Sequence, residues 1–196
     1  MRLVEMTIKV PLPWLIERMV VFLVLLYRRV RYGYAFRRIK LTRGKYTLVD
    51  PEDFERLNQY KWYCTHNGYA KRTVPKRLVK GKQKYALMHR ELCPVSDGMV
   101  IDHINRNPSD NRKANLRPAT RQQNCWNVDY KRRPRRSRYI GIYFDKRIGK
   151  WRVHMQLDGR FRFFGHYADD VEAAKKYDEV AKKYRGEFAV LNFPET

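Results

Sequence analysis

The 196-residue sequence is poor in cysteine and in acidic side chains, and it lacks a long apolar run. Its three cysteines, Cys64, Cys93 and Cys125, are widely spaced and include no C-x-x-C pair. This pattern excludes a disulfide scaffold and gives no sign of a zinc ribbon or a redox site. The densest apolar run, Met19–Tyr27, has nine residues, whereas a transmembrane helix needs about 20. We therefore predict no membrane span.

Basic residues dominate the charge of the chain. Lysine and arginine number 43 against 20 Asp and Glu, which gives a formal net charge of +23 and a pI near 10.2. With 43% hydrophobic and 14% aromatic residues the chain can still bury a core, so a disordered polycation is excluded. Because these positive charges repel one another in a compact state, we expect a polyanionic partner, with nucleic acid first among the candidates. Charge alone leaves a ribosome-like or a membrane-surface protein open.

Residues 1–38 differ in composition from the rest of the chain. The apolar stretch Val10–Tyr27 is interrupted by prolines and charged residues, and arginines interleaved with aromatics follow it. No small-residue cleavage site follows the apolar part, so the segment predicts a short amphipathic or core helix rather than a secretory signal. A second hypothesis is an extension translated from an early start codon, because the organised pattern begins only near Ile39. A truncation that starts near Ile39 should then keep activity.

Residues 40–86 predict a small β-rich layer. Runs of aromatic and β-branched residues surround an Asn67-Gly68 pair, which is typical of a hairpin turn. A brief helix is predicted over 51–60, with Asp50 as its cap and Pro51 at its first position.

Residues 85–127 gather the polar side chains that catalysis requires. Two strand-like pieces, YALMHREL and MVIDHIN, flank a turn at Pro94–Gly98 and precede helical segments. Asp102 and Asn124 offer a carboxylate oxygen and an amide oxygen, which suit Mg²⁺ or Mn²⁺ rather than a soft metal. Hydrolysis of a phosphodiester needs such a cation and a base that deprotonates water. His103 follows Asp102 directly, so a regular strand places the two side chains on opposite faces unless the chain twists as it leaves the ladder.

The joint pattern M-H-R, D-H-I-N, D-N-R-x-x-N-L and Q-N-x-x-N, within residues 40–130, resembles the HNH nuclease family in its ββα-metal form. It is most similar to the HNH homing endonucleases of phage and bacterial mobile introns. The resemblance implies that His103 is the general base on the attacking water and that Asn115 keeps strand and helix in register. It also implies that Asp102 and Asn124 hold Mg²⁺ or Mn²⁺. Two flanking polar positions match as well, with orienting and binding roles both open: His89 and Asn127.

The segment 131–138, KRRPRRSR, contains six basic residues and one proline. This composition predicts an extended linker between domains, although a nuclear-localisation-like or merely solvated charge run has the same composition. In a nuclease of the implied kind the linker would follow the phosphate backbone and add salt-dependent affinity without base specificity. The candidate phosphate contacts in the linker are Arg132, Arg133, Arg135 and Arg136.

Residues 139–196 predict three antiparallel strands followed by one helix. The strand-like runs are RYIGIYFD, KWRVHMQLD and RFRFFGHY, and a helix with apolar spacings of three and four lies between Asp169 and Gly186. The segments YIGI, GKW, FGHY and LNFP resemble the DNA-binding domain of the APETALA and ethylene-response-factor family, whose sheet enters the major groove. Plant members carry arginines on the first strand where this chain has Tyr143, Phe144 and Asp145, so their base specificity is not implied. The DNA contacts that the resemblance implies are Lys146, Arg147, Lys150, Trp151, Arg152, Arg160 and Arg162.

The sequence therefore predicts an α+β protein, with a ββα-metal HNH nuclease domain and a three-stranded antiparallel sheet packed on one helix. The predicted parts are an N-terminal extension (1–38), a nuclease domain (39–130), a basic linker (131–138) and a DNA-binding domain (139–196). The predicted function is metal-dependent, site-specific cleavage of double-stranded DNA by a homing-type endonuclease. We expect a monomer without a protein partner, in the cytoplasm of a bacterial or phage-infected cell. A catalytically inactive DNA-binding regulator and a less specific defence-type nuclease remain open.

Overall fold

The described part of the chain consists of ten short strands and five α-helices. The computed structural model describes residues 12–75, 84–128 and 137–194. In chain order the elements are α1 (Leu12–Tyr32), β1 (Arg37–Lys40), β2 (Tyr46–Val49), α2 (Pro51–Asn58), β3 (Tyr63–Cys64), β4 (Ala70–Thr73), β5 (Tyr85–Leu87), α3 (Met88–Leu92), β6 (Val100–His103), β7 (Leu116–Ala119), α4 (Arg121–Trp126), β8 (Ile142–Asp145), β9 (Lys150–Leu157), β10 (Arg160–Tyr167) and α5 (Asp170–Arg185). This mixed architecture of helices and small antiparallel sheets confirms the predicted α+β class.

Contacts along the chain divide it into two compact units. One contains the described residues up to Met88 together with Pro108–Ala114, and the other contains His89–Asn107 together with the described residues from Asn115 onward. The second unit groups β6, β7 and α4 with the C-terminal sheet, whereas the sequence predicted a domain boundary at residues 131–138. The physical reason for this grouping lies inside the second unit, where Arg117 on β7 is bonded to Glu187 just beyond α5.

Helix α1 comprises 21 residues of the predicted N-terminal extension. Many of its apolar side chains are exposed, including those of Trp14 and Phe22. Among the residues that the structure describes, no helix combines the length and the hydropathy that a membrane crossing requires.

Strand β1 begins earlier than the sequence predicted. Arg37 pairs with Val49 and Arg38 pairs with Leu48, so two residues assigned to the extension belong to the β1–β2 ladder. Phe36, just before the strand, is 3% exposed, and the Arg28 guanidinium lies over its ring. A truncation at residue 39 would remove half of β1 and the buried Phe36, which argues against that position as a harmless starting point.

Helix α2 shows how the first unit is tied together across the sequence. Asp50 occupies the N-cap position, as predicted, but its side chain makes no capping bond to the helix. Its carboxylate instead accepts a 2.7 Å hydrogen bond from the backbone N–H of Lys113. The buried side chains of Thr47 and Asn111 are joined by a second bond of 2.7 Å. The segment Pro108–Ala114 is therefore fixed to β2 and α2 by polar contacts.

The Asn67-Gly68 pair forms the predicted turn between β3 and β4, which are antiparallel. Gly68 has a φ of +87°, and a Cβ at this position would press against Pro108. Both facts favour glycine, because other residues are strained at positive φ and none would fit the contact.

The strand pair β6–β7 and helix α3 provide the framework of the candidate site. In the ladder Asp102 lies opposite Arg117, and His103 lies opposite Leu116. The segment YALMHREL, predicted as one strand, instead changes from β5 to helix α3 at Met88. The side chains of His89 and Leu92 are both buried, since residues three apart share one side of a helix.

The C-terminal sheet has β9 at its centre and α5 against one face. Val153 and Met155 of β9 and Tyr177 of α5 belong to one buried apolar core. Gly141 has a φ of +71°, and a Cβ there would overlap the Tyr177 ring. This arrangement confirms the predicted three-stranded sheet packed on one helix, and it explains why the YIGI segment needs its glycine.

Strands β8–β10, helix α5 and the segment after it, residues 139–194, are called the C-terminal module here. Its LNFP segment is bonded to its first residues. Asn192 Oδ1 accepts a 2.6 Å hydrogen bond from the Ile140 N–H. The buried Asp178 carboxylate accepts 2.8 Å bonds from the N–H groups of Asn192 and Phe193. YIGI and LNFP, two of the four segments that carried the family resemblance, are thus held together by one polar cluster.

Candidate active site

A carboxylate and a guanidinium are paired directly across the β6–β7 ladder. Asp102 is 4% exposed and Arg117 is 9% exposed. Nε and Nη2 of Arg117 lie 2.9 and 2.8 Å from the same oxygen, Oδ2 of Asp102. Both groups are buried, and either charge would be costly to bury without the other, so the two compensate each other. The sequence analysis missed Arg117, and only the strand register, which places it opposite Asp102, could have identified it.

Asn127 holds the other side of the Asp102 carboxylate. Its Nδ2 lies 3.0 Å from Oδ1 and 2.9 Å from Oδ2 of Asp102, and 2.9 Å from the His103 carbonyl oxygen. A further contact of 3.3 Å reaches the Ile104 carbonyl oxygen. Since all of these atoms are acceptors, the amide nitrogen faces Asp102 and the amide oxygen does not. Asn127 therefore contacts Asp102 through its amide nitrogen, and an orienting role for it stays a prediction.

Asn124 has a different environment from the one its predicted role suggests. It is exposed on α4, and within the described part of the chain its side chain has no hydrogen-bond partner. Thr120 and Gln123 form a capping box that starts this helix. The structure thus brings Asn127, rather than Asn124, into contact with Asp102.

Asn115 fastens the loop that follows His103. Its Oδ1 accepts a 2.9 Å bond from the Asn105 N–H, and its Nδ2 donates a 3.0 Å bond to Asn105 Oδ1. Its carbonyl oxygen accepts the Ile104 N–H at 2.9 Å. These bonds join the end of β6 to the start of β7, and the predicted role of Asn115 in keeping strand and helix in register stays a prediction.

His103 packs against a second imidazole. The ring centroids of His89 and His103 are 5.2 Å apart and the rings are nearly perpendicular, at 80°. Burial lowers the pKa of His89 from its ordinary 6.5 to about 4, with smaller contributions from His103 and Arg90. His89 is therefore a neutral group near pH 7. Asp102 and His103 have different neighbours, as consecutive strand residues should.

The low pKa of His89 predicts a pH-dependent stability that a variant can isolate. Between pH 6.5 and pH 4 the unfolded chain binds a proton at His89 that the folded chain does not, so stability falls as the pH is lowered through this window. We expect wild type to lose about 3 kcal/mol more than His89→Gln on going from pH 7 to pH 4. Urea unfolding at four pH values measures the difference, and parallel curves for the two proteins would contradict it.

The Asp102 carboxylate has the chemistry that a hard divalent cation requires. Among the described contacts, Oδ1 of Asp102 accepts a bond only from Asn127, so this oxygen keeps capacity for another ligand. The exposed amide of Asn124 has an oxygen of the kind that Mg²⁺ and Mn²⁺ accept, but no described contact joins it to Asp102, so its role as the second ligand stays a prediction. Within the described residues, the one group of three carboxylates close enough to share an ion is elsewhere, at Asp50, Glu52 and Asp53. Lys113 already lies 2.7 Å from Asp53 in that group.

The face of the C-terminal sheet that is turned away from α5 is rich in aromatic side chains. Because Val153 and Met155 face the helix, Arg152 and His154 lie on the opposite face. Tyr143 pairs with Arg152 across the sheet, and Phe163 pairs with His154. Phe161, on the same face, is 71% exposed. The sequence analysis missed these aromatics as candidate contacts, although their alternation with core residues was a usable signal.

The predicted DNA contacts do not share one surface. Trp151 packs against the apolar core and against Phe144, at 5.2 Å between ring centroids, so it lies on the core side rather than with Arg152. Arg160 and Arg162 are exposed, but they pair with Leu157 and Met155, whose side chains are buried. The exposed basic residues of the turn and the start of β9 are Lys146, Arg147 and Lys150. The linker candidates Arg132, Arg133, Arg135 and Arg136 lie outside the described residues.

Part of the chain is similar to plant transcription factors. APETALA2-like protein 2 of Oryza sativa subsp. japonica is 38% identical over 61 residues, which is 31% of this chain and 14% of the plant protein. AP2-like ethylene-responsive transcription factor TOE2 of Arabidopsis thaliana is 36% identical over 61 residues, or 13% of its length. The chain thus spans only a small part of these relatives.

The segment that holds the site matches a nuclease family. Residues 89–125 match the model described as HNH endonuclease, and this range includes Asp102, His103, Asn115 and Asn124. A protein of Acanthamoeba polyphaga mimivirus, named uncharacterized HNH endonuclease L560, is 26% identical over 150 residues, 76% of either chain. Residues 89–125 thus form an HNH endonuclease domain, and the protein is an enzyme, a nuclease of the hydrolase class.

Proposed function

We propose that the protein is a metal-dependent endonuclease that cuts double-stranded DNA at few sites, as a homing-type HNH enzyme does. The observation that carries the proposal is that Asp102 and His103, two consecutive buried residues, end strand β6, with Arg117 and Asn127 bonded to the carboxylate. A net charge of +23 supports a polyanionic substrate. The similarity to the viral HNH endonuclease over most of the chain supports the same class of reaction.

The residues of the site divide the chemistry among them. A divalent cation held by Asp102 and Asn124 would neutralise charge on the scissile phosphate when bound. His103 accepts the proton of the attacking water at an imidazole nitrogen. Neutral His89 packs against the His103 ring without adding a second positive charge, which would lower the basicity of His103. Asn115 keeps the loop after His103 in place.

The C-terminal module anchors the enzyme on DNA in this proposal. Arg152 on the open face of the sheet lies 5.2 Å from the Phe163 ring centroid, so a guanidinium and an aromatic face are presented together. Apolar side chains in the major groove can contact thymine methyl groups, and arginine can reach base edges or phosphates. The basic turn and the linker would add sequence-independent phosphate contacts. One chain carries both the cutting and the anchoring parts, so we propose that a monomer acts.

A plasmid assay tests the proposal. We expect the purified chain to cleave supercoiled double-stranded DNA with Mg²⁺ or Mn²⁺, to stop in EDTA, and to recover when excess Mg²⁺ is returned. The matched control is His103→Ala, purified in parallel. It should contain the same contaminating nucleases as the wild-type preparation but lack the metal-dependent cleavage. Full activity in EDTA would remove the metal from the mechanism.

Mapping the cut ends on a long random duplex tests the site specificity separately. A homing-type enzyme should cut at few positions, whereas cuts at many positions would identify a less specific defence-type nuclease. DNA binding without cleavage in either metal would overturn the enzymatic proposal in favour of a DNA-binding regulator.

A further inference from the structure

Arg117 makes contacts on two sides, and the second side belongs to the C-terminal module. While Nε and Nη2 face Asp102, Nη1 lies 2.9 Å from the carbonyl oxygen of Glu187 and 3.2 Å from its carboxylate. The guanidinium carbon is 3.8 Å from the centroid of the Phe188 ring. One buried side chain therefore joins the candidate metal ligand to the turn that follows α5.

The turn that receives Arg117 is itself well fixed. Glu187 and Phe188 belong to a short 3-10 helix that continues directly from α5, and Phe188 is buried. Arg185, the last residue of α5, lies 5.6 Å from the Trp126 ring at the end of α4 and donates to the Tyr177 hydroxyl. The end of α5 thus contacts the nuclease part through two arginines.

The planar shape of the arginine side chain restricts how the Arg117 guanidinium can be oriented. A planar guanidinium that is bonded along one edge, bonded at the other end and covered by an aromatic ring has little freedom to rotate. Arg117 supplies two bonds to Oδ2 of Asp102, beside those from Asn127, so the orientation of the Asp102 carboxylate depends in part on where the guanidinium is held. The Glu187 carboxylate is largely exposed, at 73%, so its backbone carbonyl and the Phe188 ring supply most of the restraint.

We propose that Arg117 is a positioning residue for Asp102, and that the Glu187–Phe188 turn of the C-terminal module holds Arg117 in place. The module then contributes to the nuclease centre itself in addition to anchoring DNA. The effect on cleavage rests on the function proposed above, whereas the coupling between the two parts does not.

Two charge-conserving variants of the full chain test the proposal. Arg117→Lys keeps the positive charge but loses the planar fork, and Phe188→Leu keeps an apolar side chain but loses the aromatic face. For Arg117→Lys we expect kcat and the Mn²⁺ affinity of the DNA-free protein, measured by calorimetry, each to fall roughly 10-fold or more, with KM for DNA within about 2-fold. For Phe188→Leu we expect the same pattern at about 3-fold, and the double variant should be no worse than Arg117→Lys alone.

Val153→Ala is the matched control, because Val153 is buried in the core of the same module and is not among the contacts of Arg117. It should lower the stability of the module while kcat and Mn²⁺ affinity stay unchanged. An equal loss in this control would show that only the folding of the module matters, and strictly additive effects of Arg117→Lys and Phe188→Leu would show that the two do not act together. Either result overturns the proposal.

Failure of the proposed function has a different signature. In that case wild type itself shows neither metal-dependent cleavage nor Mn²⁺ binding. The same four proteins of the Arg117 and Phe188 cycle then decide the coupling through their unfolding equilibria. We expect an interaction of about 5-fold or more in the equilibrium constant, and its absence overturns the coupling.

Discussion

Replacing His103 by alanine should lower the rate of DNA cleavage by roughly 100- to 10,000-fold, the range that a general base usually contributes. The side chain is 5% exposed, and its ring packs against neutral His89. The low pKa of the neighbouring His89 makes it a poor base. We therefore expect no neighbouring side chain to replace His103 as the general base. Single-turnover cleavage of a plasmid or an oligonucleotide duplex measures the effect.

DNA affinity provides the control for this prediction. Because the proposed anchoring surfaces lie on other elements, His103→Ala should bind duplex DNA within about 2-fold of wild type under conditions where the metal is replaced by Ca²⁺. His66→Ala is a matched variant, since His66 is an exposed histidine in the turn between β3 and β4, and it should cleave normally. Unchanged cleavage by His103→Ala would end the catalytic assignment.

Replacing Asp102 by asparagine should abolish cleavage and also destabilise the fold. The amide keeps the shape of the carboxylate but cannot neutralise Arg117, which is 9% exposed. Breaking an enclosed ion pair from one side costs about 3–5 kcal/mol, and we expect the lower end because Glu187 remains beside Arg117. Urea unfolding measures the stability, and cleavage should fall by more than about 100-fold, since even partners one step removed from a metal contribute 10- to 100-fold.

Variants of two asparagines, Asn124 and Asn127, test whether the loss of cleavage in Asp102→Asn reflects metal binding or folding. Asn124→Ala removes an exposed amide, so its stability should stay within about 0.5 kcal/mol of wild type, while cleavage falls if Asn124 shares the cation with Asp102. Asn127→Ala removes the bonds to Asp102 and to two carbonyls, so it should lose about 1–3 kcal/mol of stability as well. Wild-type cleavage by Asn124→Ala would remove Asn124 from the metal shell.

Local chemistry made much of the fold predictable. The Asn67-Gly68 turn and the limits of α5 between Asp169 and Gly186 follow from backbone preferences that act over a few residues. The same holds for the alternation of core and open positions along β9. By contrast, YALMHREL has a pattern that suits either a strand or a short helix, and it contains both. Periodicity alone cannot separate the two in so short a segment.

By itself, the sequence of this protein determined the identities of the reactive groups and the strand that carries Asp102 and His103, because both depend on residue type and spacing. Only the tertiary structure decided which groups meet: Arg117 and Asn127 at Asp102, and Trp151 on the core side of its sheet. The strand register and the packing of the turn after α5 bring together residues as far apart as Arg117 and Glu187. Such contacts depend on how whole elements pack, and no local preference of either residue specifies its partner.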